Sequence, residues 1–336
     1  MDSKFPIYTD FDKKIWEKEL ESFVPEKIFD FHTHIWHEKD AADNQEPDSP
    51  LRMNNSIEDM HAWSRTIFPG RKIGYAALPT PLKDIDYISH NNWVADEVKK
   101  VRAGNLPELL FVESGMLVHP DFPGSYITKH VHDKQVTILK PYRTFAENPA
   151  EARIKDYFPE EQMAVAHELG LAVVLHLSKT TGPADKENIA DLEMYSRKYP
   201  NIKWVLAHCA RAFNSVHLEE AIHQYAKLPT VWVDTSAVND TYTHALLLRY
   251  FDRERILFGT DNVAAGSWRG KYITFGNGWK AFSEESELEH CDNRCTFVVY
   301  EQLRCQKQAA GMLQISSLDI ENIFFHNAVT FFQSFS

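Results

Sequence analysis

His32 and His34 stand one residue apart at the end of a short apolar run, "KIFDFHTH". On an extended strand, side chains at this spacing share a face, so both imidazoles can be offered to a single point. The same arrangement recurs down the chain: "LAVVLHL" ends near His176, "IKWVLAHC" near His208 and "ILFGTDN" near Asp261. Neutral imidazoles together with a carboxylate are donors for a borderline divalent ion, Zn2+ first and Mn2+ as the alternative. Any one of these histidines could be an ordinary core residue. Four histidines and an aspartate that all follow apolar runs point instead to a metal site. A second tier of candidates would handle substrate. Lys140 closes "QVTILKPYR", Arg143 can hold a carboxylate bidentately, and Arg211 opens the loop after His208. Trp268 and Arg269, with Lys271, Tyr272 and Trp279, offer grips for a polar or aromatic molecule. Asn239 and Asn262 are further donors, Glu113 reads as a barrel ion pair, and Asp240 as a helix N-cap.

These residues converge only if the runs before them are parallel strands. Eight such runs begin near residues 27, 73, 109, 135, 171, 202, 230 and 255. They are almost continuously apolar, as strands are when a parallel sheet is covered on both faces. Helical patterns lie between the later ones. In "PEEQMAVAHELG", Pro159 can open the helix and Gly170 close it; "ENIADLEMYSRKYP", "VHLEEAIHQYAK" and "DTYTHALLLRYFD" fill the same role. The alternation predicts an α/β fold, a (β/α)8 TIM barrel with extended loops after strands 1 and 8 and a C-terminal helix. One domain over residues 1–336 is expected, with a barrel core at about 27–332 and no repeat or interdomain linker. The long loops, 35–66 and 262–290, would then sit at the C-terminal face, where such barrels keep their sites.

Composition removes several classes. The chain has 336 residues, 43% of them hydrophobic and 25% charged, and no apolar run reaches the ~20 residues of a membrane helix. A formal net charge of -12 without a basic cluster opposes nucleic-acid binding. The first residues lack a leader-like apolar stretch, so a cytoplasmic location is expected. Four cysteines are too few for a disulfide framework. Cys291, Cys295 and Cys305 are read as residues of one helix after position 290, without the paired spacing of a zinc finger.

With "DFHTH" on strand 1, His176, His208, "GTD" on strand 8 and the closing "ENIFFHNAVTFF", the chain resembles the amidohydrolase superfamily. More narrowly, it resembles the amidohydrolase-related branch of decarboxylases, hydratases and lactonases, over about residues 27–332. The resemblance implies that His32, His34, His176 and Asp261 ligate one metal ion. His208 would be a substrate-facing acid or base, or a ligand of a second ion. Lys140 would be a carboxylated bridge in a two-ion member, against a substrate-anion contact or a structural ammonium. One ion is expected rather than two.

Chemistry agrees with that division, since a bound divalent ion brings the pKa of its water to ~7 and Asp261 could take the proton. The leading expectation is a metal-dependent hydrolase cleaving a C–O or C–N bond, a lactone or amide, of a small polar substrate. A metal-dependent non-oxidative decarboxylase of a small carboxylic acid is the alternative, and a non-catalytic binding barrel the third reading. Neither nucleic acid nor a membrane is expected as a partner. Phe324, Phe325, Phe331 and Phe332 would pack into the barrel or against a second copy of the chain, as a homo-oligomer.

Overall fold

Each predicted apolar run forms a strand, and the strands lie side by side in chain order. In the computed structural model, which describes residues 5–42, 53–104, 106–263, 265–286 and 290–333, they are β1 (Lys27–Ile35), β2 (Lys72–Pro79), β3 (Leu109–Val118), β4 (Ile138–Pro141), β5 (Ala172–Leu175), β6 (Lys203–Leu206), β7 (Val231–Asp234) and β8 (Ile256–Leu257). All neighbours pair in parallel in the order β1 to β8. The barrel closes through the chain that continues β8. Phe31 N–H donates to Phe258 O at 2.9 Å, Asp261 N–H to His32 O at 2.8 Å and His34 N–H to Asn262 O at 2.6 Å. This is a (β/α)8 barrel with a C-terminal helix, as the alternation of strands and helices predicts.

The four later helices form where their punctuation places them, at Glu160–Glu168, Lys186–Lys198, Ser215–Ala226 and Thr241–Tyr250. Gly170 follows the first at φ +65°, a conformation that favours glycine. Asp240 caps the last by accepting from the N–H groups of Tyr242 and Thr243. The cysteine expectation is corrected: Cys291 and Cys295 precede the helix Val298–Leu313, and only Cys305 belongs to it. Thr296 and Phe297, just after Cys295, hold this loop against the N-terminal segment through Asp12 and Tyr8.

The lower barrel interior is closed by aromatic rings. The terminal helix Asn327–Gln333 sets Phe331 5.2 Å from Phe31 and 4.8 Å from Trp232, and Phe332 5.4 Å from Phe29, between ring centroids. Ala172, Val174, Val205 and Leu257 complete this layer. The terminal phenylalanines pack against the barrel within the chain. The loop after β1 returns to the barrel where Asn55 donates to His34 O at 2.7 Å; its residues 43–52 lie outside the described ones. The loop after β8 carries an antiparallel hairpin, β9 (Lys271–Phe275) and β10 (Gly278–Phe282). Among the described residues, no helix is long and apolar enough to cross a membrane.

Candidate metal centre

The seam between β8 and β1 builds the centre. Because Asp261 N–H bonds to His32 O and His34 N–H to Asn262 O, residues at opposite ends of the sequence become backbone neighbours. A register shift in β1 between Asp30 and Thr33 changes the inward parity, so Phe29 and Phe31 line the interior below while His32 and His34 face the cluster above. Gly259 leaves room for this, since a Cβ there would lie 2.9 Å from His32 Cβ. Asp261 takes φ +62°, a left-handed conformation that L residues adopt at a cost of about 1–3 kcal/mol and that clusters at functional sites.

His34 Nε2 lies 3.2 Å and His32 Nε2 3.7 Å from Asp261 Oδ1. Donor atoms of these three residues lie within 4.8 Å of one another. Burial opposes ionisation of Asp261, but the hydrogen bond from His34 outweighs it and the carboxyl is held well below its ordinary range. Burial, with Lys140 adding to it, pushes His32 down to about 4, so its ring is neutral at physiological pH. A neutral imidazole and an ionised carboxylate aimed at one point are the donor chemistry of a divalent cation, and the residues fit one.

The remaining candidates surround this trio. His208 stacks on His32 with ring centroids 4.9 Å apart, and His176 lies 5.2 Å from His208. His176 Nδ1 is buried with no hydrogen-bond partner among the described residues. Its pKa falls well below 6.5 through burial, reinforced by its neighbours His208, Lys140, Arg211 and Arg143. Lys140 is fully buried, 3.5 Å from His32 Nε2, and burial pulls its pKa to about 8.

His208 begins a run of four left-handed residues, His208, Cys209, Ala210 and Arg211, with φ between 52° and 64°. This turn sends Arg211 back over the loop after β5, where it donates to Leu177 O at 3.2 Å and Lys179 O at 3.0 Å. Arg143 donates to Pro149 O at 3.0 Å, and its Nε is buried without a partner among the described residues. Burial and the like charge of Arg143 both lower the pKa of Arg211. The two arginines form no ion pair among the described residues, although Tyr142 and His176 feel both.

The structure does not bring Arg269 to this cluster. Its guanidinium pairs with the buried carboxylate of Asp12 and donates to Ile7 O at 2.6 Å and Cys295 O at 2.9 Å, tying the N-terminal helix Asp10–Ile15 to the base of the hairpin. Trp268 packs against the core and lies 6.1 Å from Tyr272, in the wall behind the site. Tyr272 faces inward: burial and the charge of Asp261 raise its hydroxyl to about 12. Phe213 joins it to the centre, with centroids 5.0 Å from Tyr272, 4.6 Å from Trp279 and 5.5 Å from His208. Asn214 donates to Gly276 O and Gly278 O, each at 2.9 Å, and so seats the hairpin. Asn239 is used in the same way, accepting from Tyr272 N–H at 2.9 Å. Glu113 pairs with Arg102 at 3.2 Å.

Asp234, the last residue of β7, and Ser236, two residues beyond it, are not among the sequence-predicted site residues, although "TVWVDTS" has the form of the other strand ends. Their inward parity continues that of Trp232, and both are fully buried beside His32 and His208.

With this geometry in place, comparison with known families is decisive. The family model described as amidohydrolase matches residues 114–332. The chain belongs to the amidohydrolase family. Solved structures share its fold at low identity. A probable 2-pyrone-4,6-dicarboxylic acid hydrolase from Acinetobacter baumannii, with citric acid bound, aligns at 9% identity over 90% of this chain and 98% of its own, TM-score 0.55. The 5-carboxyvanillate decarboxylase of Novosphingobium aromaticivorans, complexed with manganese and a nitrobenzoic acid, aligns at 12% over 91% and 96%, TM-score 0.55. A 2,6-dihydroxybenzoate decarboxylase complexed with 2,6-dihydroxybenzoate aligns at 14% over 92% and 99%, TM-score 0.55. Comparison with curated proteins gives no match. Amidohydrolase-family membership makes this chain an enzyme of a group that contains both hydrolases and decarboxylases.

Proposed function

We propose that this amidohydrolase is a metal-dependent hydrolase of a C–O or C–N bond, lactone or amide, in a small substrate that carries a carboxylate. The observation that carries the reading is Asp261, an ionised carboxylate 3.2 Å from His34 and 3.7 Å from His32 at the rim of the barrel. His32, His34, His176 and Asp261 would hold one divalent ion, Zn2+ or Mn2+. When bound, the ion supplies Lewis-acid polarisation of a carbonyl oxygen and acidification of water. Asp261 accepts the proton of the attacking water on a carboxylate oxygen, as a general base at hydrogen-bond reach. His208, stacked on His32, takes up at Nε2 the proton that Asp261 removed from water and passes it to the leaving group. Arg143 and Arg211, cations without a carboxylate partner among the described residues, hold the substrate carboxylate. Phe213, Tyr272 and Trp279 cover its body and exclude water.

Decarboxylation is the second reading, and the arginine pair favours it, because a grip on one carboxylate can present another to the centre. His208, protonated at Nε2 while Nδ1–H stays on Ser236 O, would then deliver the Nε2 proton to carbon as carbon dioxide leaves. The position of Lys140 bears on the number of ions. An ammonium 3.5 Å from the His32 lone pair repels a divalent cation, so loading favours the neutral amine. That amine can add carbon dioxide and release a proton to become a carbamate, an extra donor suited to a second ion with His176 and His208.

The test is elemental analysis of metal per chain in the wild type and in His176→Ala, followed by incubation with 2-pyrone-4,6-dicarboxylate and with 2,6-dihydroxybenzoate. About one ion per chain, reduced in the variant, with oxygen from labelled water in the product, supports the hydrolase. Carbon dioxide release without incorporation moves the reading to decarboxylase. Two ions per chain indicate the Lys140 carbamate, and no metal rejects the assignment.

A further inference from the structure

Asp234 sits at the end of β7 with no exposure to solvent, and its two oxygens serve different clients. Oδ2 accepts from His32 Nδ1 at 2.9 Å. Oδ1 accepts from the backbone N–H of His208 at 3.2 Å, from the N–H of Ser236 at 3.0 Å and from the Ser236 hydroxyl. Ser236 reaches across the same space. Its carbonyl accepts from His208 Nδ1 at 3.0 Å, and its Oγ lies 2.9 Å from His208 Nδ1 and 3.2 Å from His32 Nδ1. One carboxylate and one serine thus meet the Nδ1 edges of two histidines, one on β1 and one in the turn after β6, and His32 Nε2 is left facing Asp261 and Lys140.

We infer that Asp234 and Ser236 are positioning residues that fix His32 and His208 together in the Nδ1–H tautomer, coupling the metal ligand on β1 to the proton-handling histidine after β6. The physical basis is that a hydrogen bond at one ring nitrogen decides which nitrogen keeps its lone pair. The metal half of this inference rests on the proposed ion site; the tautomer half stands on the hydrogen bonds alone.

The two members of the hub are not equivalent. Three donors converge on Oδ1 of Asp234, so an asparagine there keeps its oxygen on that side and turns its NH2 toward His32. That NH2 can only donate, which forces His32 Nδ1 to accept and moves the ring proton to Nε2, the position meant for the ion. Removing the Ser236 hydroxyl leaves its carbonyl in place for His208. Asp234→Asn should therefore switch His32 and spare His208, whereas Ser236→Ala should switch neither.

The experiment is 15N NMR of the histidine rings in the metal-free full chain, with Zn2+ affinity measured by chelator competition. Expected are Nδ1–H resonances for His32 and His208 in the wild type, an Nε2–H tautomer for His32 in Asp234→Asn, and Zn2+ binding about 10–100-fold weaker in that variant. Ser236→Ala should stay within about threefold of the wild type, less than the second-shell losses. An Nε2–H tautomer of His32 in the wild type overturns the inference, even if Asp234→Asn fails to fold. So does a folded Asp234→Asn chain that keeps Nδ1–H and full affinity. Donor atoms of His32, His208 and Asp234 also lie within 4.8 Å of one another. If Zn2+ perturbs His32 Nδ1 rather than Nε2, Asp234 is itself a ligand and the positioning role is rejected. A wild type that binds no Zn2+ yet shows both Nδ1–H tautomers rejects the ion site while upholding the hub.

Discussion

Along β5 the inward positions run Ala172, Val174 and then His176, and along β8 Leu257, Gly259 and then Asp261. Two residues of strand separate a lower interior filled by Phe29, Phe31, Phe331 and Trp232 from an upper interior filled by imidazoles, carboxylates and a lysine. The lower layer needs only volume and apolar contact, and its aromatic rings satisfy each other at 4.8–5.4 Å. The upper layer is slightly more open, with Asp261 only partly buried, and its groups depend on their neighbours for a charge state. Asp234 and Asp261 stay ionised against the pull of burial because His32, His34 and Ser236 bond to them. The same strands thus build an apolar layer at one end of the barrel and the candidate ligand cluster at the other.

Substitutions can test that separation. The largest effect is expected from Asp261→Asn, with turnover falling about 10²–10⁴-fold through loss of the general base while thermal unfolding still reports a folded chain. Collapse of the fold in this variant would show that the upper layer also carries stability. The opposite variant, Phe331→Ala, should lower stability by about 3–5 kcal/mol in urea unfolding, because it opens a cavity at the closed end, and should leave metal content per chain unchanged. Metal loss in folded Phe331→Ala would mean that the two layers are mechanically coupled. Trp279→Ala should act less strongly, raising KM severalfold with little change in kcat, since Trp279 meets the site through the rings of Phe213 and Tyr272 rather than through the ligand cluster.

The smallest effect comes from a matched pair of buried alanines. Ala210 lies in the left-handed turn after β6, whereas Ala166 lies in an ordinary helix. Both lose a methyl on substitution by glycine, but only Ala210 is relieved of left-handed strain. Ala166→Gly should therefore be more destabilising than Ala210→Gly by about 1–2 kcal/mol in urea unfolding. Equal losses would remove the turn as a strained element.

Much of the site can be read in order along the chain wherever strand parity is unbroken. His176, Lys140 and Asp261 each continue the inward alternation of their own strand. Asp234 continues it too, after Trp232, so the parity that points to His176 and Asp261 carries the same signal in "TVWVDTS". Arg269 misleads for another reason. A long cationic side chain in a loop goes to whichever carboxylate the fold supplies, and here that is Asp12, far away in sequence and adjacent in space. Cys291 and Cys295 fail as helix residues because Thr296 and Phe297 anchor their loop to the N-terminal segment.

By itself the sequence determined eight buried parallel strands, the helices between them and the kinds of donor at the strand ends, because periodicity and capping are local properties. Only the tertiary structure decided how those donors meet. The register shift in β1 turns His32 and His34 inward after Phe31, and the left-handed turn after β6 aims His208 and Arg211. Both are non-local solutions, held by hydrogen bonds from β8 and β7 that no window of the chain contains.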